Sequence, residues 1–590
     1  MAPAILDRNG HVVQDANLEL GRHFAKDERG ELCVNTAELE TARCTTSTNI
    51  NGEEMVTFAS LSKAFGSLKT KRAPGPSGIP PEAFAGAARE AAVQYHPLAV
   101  KMAVRAQCPT AWRGGQTAVI PKPNKPPQDL AGWRAILLQE SAAKGIASST
   151  RDSLIQGYRQ RMQPGQGGSV PDFPLHVPIL QVKSFLRDLR DRHASGGFAF
   201  LDGKAAFYAT IRQFFTGNEK ECPAQQIQSL AETLFEDQHD QVQFLATAMG
   251  PGLLAAAQVP LPVRRMVLAT MDRTWFSIGP NGQHIFQTKT GTMPGAPLAD
   301  LLFQYTFSIF MEKLQSQLQQ HGLDVQLPPA YNCTSVAPTP SWMDDVAIPV
   351  KADRADDLVD NATKTLSLAS KCLKEIGIRL NWARGKTELV LAFRGEGSKK
   401  AKTKWLCEHD SKCWVEVAGE NPQEVHITDK YLHLGAMASW EGSDVHDLKY
   451  RRGLARQAFQ AYKRLLHNEH LTAKEKLELL DALVLSRMMY AAGTWEMHQH
   501  QMAQLYQASV MEFYRRVFRP ITGFSSRSLT DSQICNCLGV LSPEELRTHD
   551  IVQRLAWVKQ QGGSFLNSLV GQGKWGKEAH DAEKFPPAND

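Results

Sequence analysis

Residues 341–348 constrain the fold most, because their sequence, Ser-Trp-Met-Asp-Asp-Val-Ala-Ile, places two adjacent aspartates between apolar stretches. The apolar flanks predict two buried strands joined by a sharp turn. Asp202 follows another apolar run, residues 198–201, so a second strand end also carries a carboxylate. Each segment alone is equally consistent with an ordinary solvated turn, since aspartate is common at turns.

Taken together, the carboxylates of Asp202, Asp344 and Asp345 form a chemical unit. Two-metal phosphoryl transfer uses carboxylates from separate backbone segments to hold two divalent cations roughly 4 Å apart. Oxygen ligands of this kind favour Mg²⁺, or Mn²⁺, over zinc. The three aspartates are therefore the predicted ligands of two Mg²⁺ ions, with Mn²⁺ as a possible substitute.

Further motifs follow one another along the chain. Their order is more specific than any one of them, since a proline- and glycine-rich stretch by itself is also typical of a linker. Together with the aspartates they resemble the reverse transcriptases, most closely those of non-long-terminal-repeat (LINE-like) retrotransposons, over roughly residues 55–570. The segments are residues 71–80, 117–125, 130–138, 198–207, 291–303, 341–348, 380–388 and 430–435.

The resemblance implies an α+β fold of the right-hand polymerase type. Fingers, a palm built from an antiparallel sheet with helices, and a helical thumb are expected. The implied activity is that of an RNA-directed DNA polymerase, which adds deoxynucleotides to a primer 3′-hydroxyl by two-metal phosphoryl transfer. The implied partners are an RNA template, a DNA primer and deoxynucleoside triphosphates.

The resemblance also assigns roles to single residues. A β-hairpin could carry Lys122 and Arg134 towards the same site. There they would grip the triphosphate, to which arginine offers a bidentate fork and lysine a point charge. Phe207 would lie under the sugar and exclude a 2′-hydroxyl, and Gly295 would let the backbone approach the nascent base pair. Lys386 would donate a proton to the leaving pyrophosphate. An exposed loop lysine and a core phenylalanine are the plain alternatives for Lys386 and Phe207.

Nucleic-acid contacts are predicted at the palm–thumb junction and on a basic helix. Tyr431 corresponds to the primer grip, although a core tyrosine fits the pattern equally well. Arg451, Arg452, Lys463 and Arg464 are interleaved with apolar residues at helical spacing, so they would lie along phosphates. The net charge of +5 is only mildly basic, so such local patches must supply the attraction, and a solvated basic face is the alternative.

Two departures from the family pattern keep other functions open. Pro294 replaces a glutamine and removes a backbone donor, and Tyr208 replaces a common aspartate. The alternative is a catalytically inactive retroelement remnant that binds nucleic acid. A metal-dependent nuclease using the same carboxylates is a third interpretation, but hydrolysis needs neither the fingers cations nor the aromatic gate.

The sequence predicts four consecutive segments. Residues 1–55 form a polar, partly ordered leader, residues 56–437 the fingers and palm, residues 438–570 the helical thumb and C-terminal helical region, and residues 571–590 a disordered tail. The leader is too short for the endonuclease of related elements. The chain is therefore expected to be a fragment or a domesticated copy, and its oligomeric state is left open.

An intracellular location, nuclear or cytoplasmic, is expected. No apolar run reaches the roughly 18 residues of a membrane span, and Asp7 and Arg8 interrupt any signal peptide. The ten cysteines form no Cys-x-x-Cys pair, as expected for a reducing compartment. The lysine-rich residues 398–404 read either as a nuclear address or as a charged loop.

Overall fold

A computed structural model describes most of the chain, and the fold is a mixed α+β one in which helices predominate. The described residues are 5–6, 11–40, 52–122, 125–217, 227–229, 231–232, 235, 237–326, 336–497, 500–561 and 573–584.

The chain forms two compact units, each assembled from separated stretches of sequence. The first unit contains residues 1–171, 203–314 and 369–380, and the second contains residues 172–202, 315–368 and 381–590.

The strands are short, and they are numbered here in chain order. They are β1 (Glu31–Leu32), β2 (Gly114–Pro121), β3 (Trp133–Gln139), β4 (Gln166–Gly167), β5 (Ser195–Leu201), β6 (Gly203–Lys204), β7 (Trp275–Ile278), β8 (His284–Gln287), β9 (Ser341–Trp342), β10 (Asp345–Ala352), β11 (Arg379–Leu380), β12 (Glu388–Ala392), β13 (Lys412–Val415), β14 (Gln423–Ile427), β15 (Lys430–His433) and β16 (Ala436–Ser439).

Helices contain most of the described residues that lie outside the strands and loops. Within the described residues, no helix is both long and apolar enough to cross a lipid bilayer. The helices of eight or more residues are Ala16–Asp27, Phe58–Gly66, Ala88–Arg105, Ser141–Ser149, Arg151–Arg159, His176–Asp191, Gln238–Ala248, Leu261–Met271, Ala299–Gln320, Leu358–Glu375, Val445–Leu466, Ala473–Leu480, His500–Thr522, Asp531–Leu538, Pro543–Gln561 and Lys574–Lys584.

The first unit is built around a sheet with the strand order β1-β8-β7-β2-β3. Its β2 and β3 form the antiparallel hairpin that the sequence suggested for the two basic residues of the fingers. Asp15 caps helix Ala16–Asp27, because its carboxylate accepts a hydrogen bond from the Leu18 amide at 3.0 Å. Leu20 and Phe24 of that helix join the core under β7 and β8, so part of the predicted leader is ordered.

The second unit contains the sheet that carries the acidic strand ends, with β5 paired antiparallel to both β10 and β12. Every residue of β5 is buried, as its apolar composition requires of a central strand. Phe185 of helix His176–Asp191 packs on Phe198 with ring centroids 5.2 Å apart. The predicted antiparallel sheet is in fact mixed, because β12 and β14 run parallel, joined by a connection long enough for a crossover.

Helices C-terminal to β16 surround a separate apolar core in the second unit. Trp495 is fully buried there, among residues of helices Val445–Leu466 and His500–Thr522. Helix Ala473–Leu480 begins with a capping box between Thr472 and Glu475. Apolar residues at three- and four-residue spacing predicted this helical region from the sequence.

The end of the chain differs from the disordered tail predicted at residues 571–590. Residues Lys574–Lys584 form a helix, and Trp575 on it is only 2% exposed. Trp575 and Ala579 lie one helical turn apart and pack on helix Pro543–Gln561. Burial of this apolar face offsets the entropy cost of ordering an otherwise polar segment.

Candidate functional site

Strand register brings three of the predicted site residues to neighbouring strand ends. Leu201 of β5 pairs with Val346 of β10, so Asp202 and Asp345 occupy the next register position on their two strands. On the other side of β5, Phe200 pairs with Glu388 of β12. Two residues further along that register, Lys386 lies opposite Asp202. The sheet therefore flanks one aspartate with another aspartate and a lysine.

Asp344 lies in the turn between β9 and β10. Trp342 pairs with Asp345, which leaves Met343 and Asp344 as a two-residue loop. Met343 has a φ of 57°, in the left-handed region that costs a non-glycine residue roughly 1–2 kcal/mol. Strained turns of this kind cluster at functional sites, where the surrounding fold maintains them. The strain here keeps Asp344 at the tip of the hairpin.

Both carboxylate oxygens of Asp202 are engaged. Lys386 Nζ lies 3.1 Å from Oδ1, and Asn381 Nδ2 donates to Oδ2 at 2.9 Å. Tyr431 donates its hydroxyl hydrogen to the Lys386 carbonyl at 2.6 Å. The loop before β12, which contains Asn381 and Lys386, therefore contacts both Asp202 and β15. Asn381 has no role in the sequence prediction, and its only signal is an amide side chain close before Lys386.

The electrostatics show that the three carboxylates influence one another. Burial raises the pKa of Asp344 above its ordinary value, and the charge of Asp202 raises it further. Loss of hydration, with the charges of Asp344 and Asp202, raises the pKa of Asp345 to about 7. Lys386 opposes both shifts. A cluster in which acids destabilise one another's charged forms is one that a bound cation would stabilise.

The donor set of this cluster fits a hard divalent cation, since carboxylate oxygens are the ligands that Mg²⁺ prefers. A cation that took Asp202 as a ligand would have to displace Lys386 from Oδ1. Asp202, Asp344 and Asp345 thus supply the oxygen ligands that such a cation prefers.

The first unit carries the two predicted triphosphate ligands. Arg134 on β3 pairs with Ile120 on β2, and Lys122 lies two residues after Ile120, so the strand alternation places all three on one face of the hairpin. Arg134 is exposed. Lys122 Nζ donates to the Ala131 carbonyl at 3.0 Å, so the lysine folds back along the hairpin. The hairpin therefore carries both cations on one face.

Gly295 has a structural reason to be glycine. Its φ is 110°, and a Cβ atom there would lie 2.6 Å from the Leu137 carbonyl oxygen. The Leu137 amide donates to the Pro294 carbonyl at 3.3 Å, so the loop lies against β3. The proline that replaces the family's glutamine is accommodated because the contact uses its carbonyl and not the missing amide hydrogen.

Phe207 and Tyr208 make contacts within the first unit, near the loop that contains Gly295. The Phe207 ring stacks on Phe303 with centroids 4.4 Å apart, and its carbonyl accepts from the Thr292 amide at 2.9 Å. Tyr208 donates its hydroxyl hydrogen to the Ala135 carbonyl at 2.9 Å. Tyr208 thereby ties the segment after β6 to β3, a contact that an aspartate is too short to make.

Arg212 is a buried residue that the sequence analysis missed. Its Nε donates to the Gly291 carbonyl at 2.8 Å, and its Nη2 donates to Thr288 Oγ1 and the Thr290 carbonyl at 3.0 and 2.5 Å. These bonds hold the start of the glycine-containing loop. An arginine between Ile211 and Gln213 gives little local signal, because the partners named here lie 76 to 79 positions away.

Glu28 lies near Arg212 and makes the first unit sensitive to pH. Burial raises the pKa of Glu28 from 4.5 to about 8, although Arg212 opposes the shift. The folded state therefore retains a proton that the unfolded state releases, so stability is full below pH 4.5 and declines as pH rises towards 8. We expect Glu28→Gln to remove this decline and to be more stable than the parent at pH 8, by about 1–3 kcal/mol.

Thermal unfolding of the parent and Glu28→Gln at several pH values between 5 and 8 measures this effect. Thr57→Ala serves as a control, because Thr57 carries no charge and its hydroxyl caps helix Phe58–Gly66 by accepting a hydrogen bond from the Ser60 amide at 3.1 Å. Its loss should weaken the protein at every pH in this range. Parallel pH profiles for the parent and Glu28→Gln would contradict a neutral buried Glu28.

The predicted nucleic-acid contacts in the second unit divide into two groups. Arg451 is buried, donates to the Gly435 carbonyl, and places its guanidinium 4.0 Å from the centre of the Tyr490 ring. The structure therefore gives it a packing role and not the predicted surface role. Tyr431 is partly exposed, and its ring stacks on the buried Phe200 with centroids 4.4 Å apart.

The remaining basic residues are more accessible. Lys463 and Arg464 are exposed near the end of helix Val445–Leu466. Arg452 Nη2 lies 2.7 Å from a carboxylate oxygen of Glu512, and Arg456 and Arg516 pair with the same carboxylate. Three arginines around one glutamate leave an excess of positive charge on this surface.

The second unit thus presents an acidic site at the ends of neighbouring strands of a mixed sheet. It combines three carboxylates with a lysine held beside them. No protein-family model matches the chain.

Proposed function

We propose that the chain is an RNA-directed DNA polymerase with a right-hand fold, in which β5, β10 and β12 belong to the palm. The observation that carries the proposal is the register that flanks Asp202 with Asp345 and Lys386, with Asp344 in the adjoining turn. Two-metal nucleotidyl transfer uses carboxylates from separate backbone segments, and the register supports the proposal because it brings Asp202 and Asp345 to neighbouring strand ends. The helices after β16 would form the thumb.

The proposed mechanism assigns each group a task. Asp202, Asp344 and Asp345 would hold two Mg²⁺ ions, which when bound lower the pKa of the primer hydroxyl and stabilise charge on the transferred phosphoryl group. Lys386 would give a proton to the leaving pyrophosphate, and the Tyr431 hydroxyl holds its backbone in place. Lys122 and Arg134 would bind the triphosphate of the incoming deoxynucleotide.

A catalytically inactive, nucleic-acid-binding remnant is the second candidate. The observation that favours it is the ion pair between Lys386 and Asp202, which occupies a carboxylate oxygen that a metal would need. Pro294 and Tyr208 do not add weight to it, because both make well-defined contacts in the first unit.

Primer extension tests the proposal directly. Purified protein is incubated with Mg²⁺, deoxynucleotides and a DNA primer annealed to an RNA template. Template-directed extension supports the polymerase. Failure by a folded protein that still binds the duplex supports the inactive remnant, and Mg²⁺-dependent cleavage without synthesis supports a nuclease.

The sugar gate gives a second, more specific prediction. We expect Phe207→Ala to raise the ratio of ribonucleotide to deoxynucleotide incorporation by about tenfold or more, because the ring would no longer exclude the 2′-hydroxyl. The measurement is kcat/KM for single additions of the two nucleotide types. Deoxynucleotide addition by the same variant is the internal control, since Phe207 also stacks on Phe303. An unchanged ratio with deoxynucleotide addition intact would contradict the gate.

A further inference from the structure

A compact lysine cluster follows β12 in the second unit. Residues Ser398–Lys402 form a short helix, and Thr403–Glu408 continue as a π-helical turn. No acidic residue occurs between Gly397 and Cys407. Four lysines here are exposed, and none of them forms an ion pair with another residue in the described ranges. They are Lys399, Lys400, Lys402 and Lys404.

Aromatic rings lie beside these lysines. The Trp405 and His409 rings are 4.9 Å apart at an interplanar angle of 32°, and the His409 and Trp414 rings are 6.1 Å apart. Lys404 Nζ lies 4.5 Å from the centre of the Trp405 ring. Trp414 is 50% exposed, an unusual exposure for so large an apolar side chain.

The local fold keeps these groups in place. Cys413 and Val415 on β13 are buried, so the strand alternation projects Trp414 outward from the strand at the end of the sheet order. The Ser411 amide donates to the Trp405 carbonyl at 2.9 Å, and Ala401 anchors the short helix in the interior. The surface is therefore preformed.

Two nearby acids are paired with other bases. Glu424, which lies across the strand pair from Trp414, is 3.3 Å from Lys412 Nζ. Glu396 pairs with Arg354. Glu408 and Asp410 follow the lysines directly and offset part of their charge, so the four lysines still leave a local excess of positive charge for an external anion.

We infer that this lysine–tryptophan surface, comprising Lys399, Lys400, Lys402, Lys404 and Trp414, binds single-stranded nucleic acid. Lysines placed along a nucleic-acid strand neutralise successive phosphates whatever the base sequence, and an exposed indole stacks on an unpaired base. A duplex offers no free base face to such a ring, so single strands are favoured. This binding is separate from nucleotide addition and requires neither a metal nor a nucleotide.

The test measures binding of a short fluorescent oligouridine to the full chain by anisotropy, in chelator and without nucleotides. We expect Trp414→Leu to weaken binding about tenfold, because base stacking on one ring is worth roughly that much. Trp414→Phe should retain most of the affinity. Replacing the four lysines by glutamine should lower the slope of log affinity against log salt by about 3, at roughly 0.7 per phosphate contact.

Two controls locate the effect. Replacing the exposed Lys474 and Lys577 by glutamine should leave affinity and salt slope unchanged, whereas the pair Lys399 and Lys400 should lower both. Trp414→Leu should bind a blunt duplex as the parent does. The inference fails if Trp414→Leu stays within about twofold of the parent, or if its loss is equal for duplex. Because no step of synthesis enters the assay, a protein that fails primer extension can still pass this test.

Discussion

Replacing Asp344 by asparagine is expected to reduce nucleotide addition by about a thousandfold or more while leaving duplex binding intact. Asparagine keeps the shape of the side chain and removes its charge, so a cation loses an anionic ligand. Metal assistance supplies several kcal/mol to phosphoryl transfer, and each 1.36 kcal/mol is about tenfold in rate. Single-turnover addition of one deoxynucleotide to a primer on an RNA template measures the loss. Asp345→Asn should lose less, since the resemblance makes Asp345 the more peripheral ligand.

A control variant and an unfolding temperature separate loss of catalysis from damage to the fold. Asp353→Asn removes an equal charge just beyond the opposite end of β10, and its activity should match that of the parent. Asp344→Asn should unfold at the same temperature as the parent or higher, because burial and Asp202 already destabilise the Asp344 carboxylate. Near-normal deoxynucleotide addition by Asp344→Asn would contradict the proposed mechanism. A lower unfolding temperature would show instead that Asp344 serves the fold.

Local patterns in the sequence predicted the acidic strand ends well. An apolar run that ends in a carboxylate is a buried strand whose next residue leaves the sheet, and this holds for β5 and Asp202. The hairpin of β2 and β3 followed from the same reasoning. Arg212 and Asn381 escaped notice because their roles depend on hydrogen-bond partners far away along the chain, which no local pattern encodes.

Arg451 was predicted to lie on the surface because it is charged. Its position on the helix, however, indicated that it is buried. Leu448, Arg451 and Ala455 follow one another at three- and four-residue spacing, and all are buried on one stripe of helix Val445–Leu466. Helical position therefore predicted burial, whereas residue type predicted exposure. Position prevailed because the Gly435 carbonyl and the Tyr490 ring accept the guanidinium inside the unit.

A buried charge cluster in the second unit lay beyond any prediction from sequence. Lys183 Nζ lies 2.5 Å from Asp447 Oδ2 and 3.0 Å from Asp444 Oδ1. Trp495 donates its indole hydrogen to Asp447 Oδ2 at 2.8 Å. Burial alone would raise the pKa of Asp444, but Arg187 and Lys183 lower it to about 2. These contacts attach helix His176–Asp191 to the helical region through groups that are far apart in sequence.

Asp447→Ala is expected to destabilise the protein by about 2–4 kcal/mol, because it leaves the buried Lys183 ammonium with one carboxylate, Asp444, in place of two and removes the acceptor of the Trp495 indole hydrogen. The unfolding transition in urea measures the loss. Removing both charges, in Asp447→Leu with Lys183→Met, should recover most of the stability, since apolar residues of similar volume often replace a buried pair at little cost.

The matched control is the surface pair of Asp581 and Lys584, for which Asp581→Ala should cause no measurable change. If Asp447→Ala unfolded at the parent's urea concentration, the cluster would contribute nothing to stability. If the double variant were weaker than Asp447→Ala, the contribution of the pair would come from its attraction and not from the cost of leaving a buried charge with fewer partners. The expected order, parent then double variant then Asp447→Ala, follows from the cost of burying a charge with too few partners.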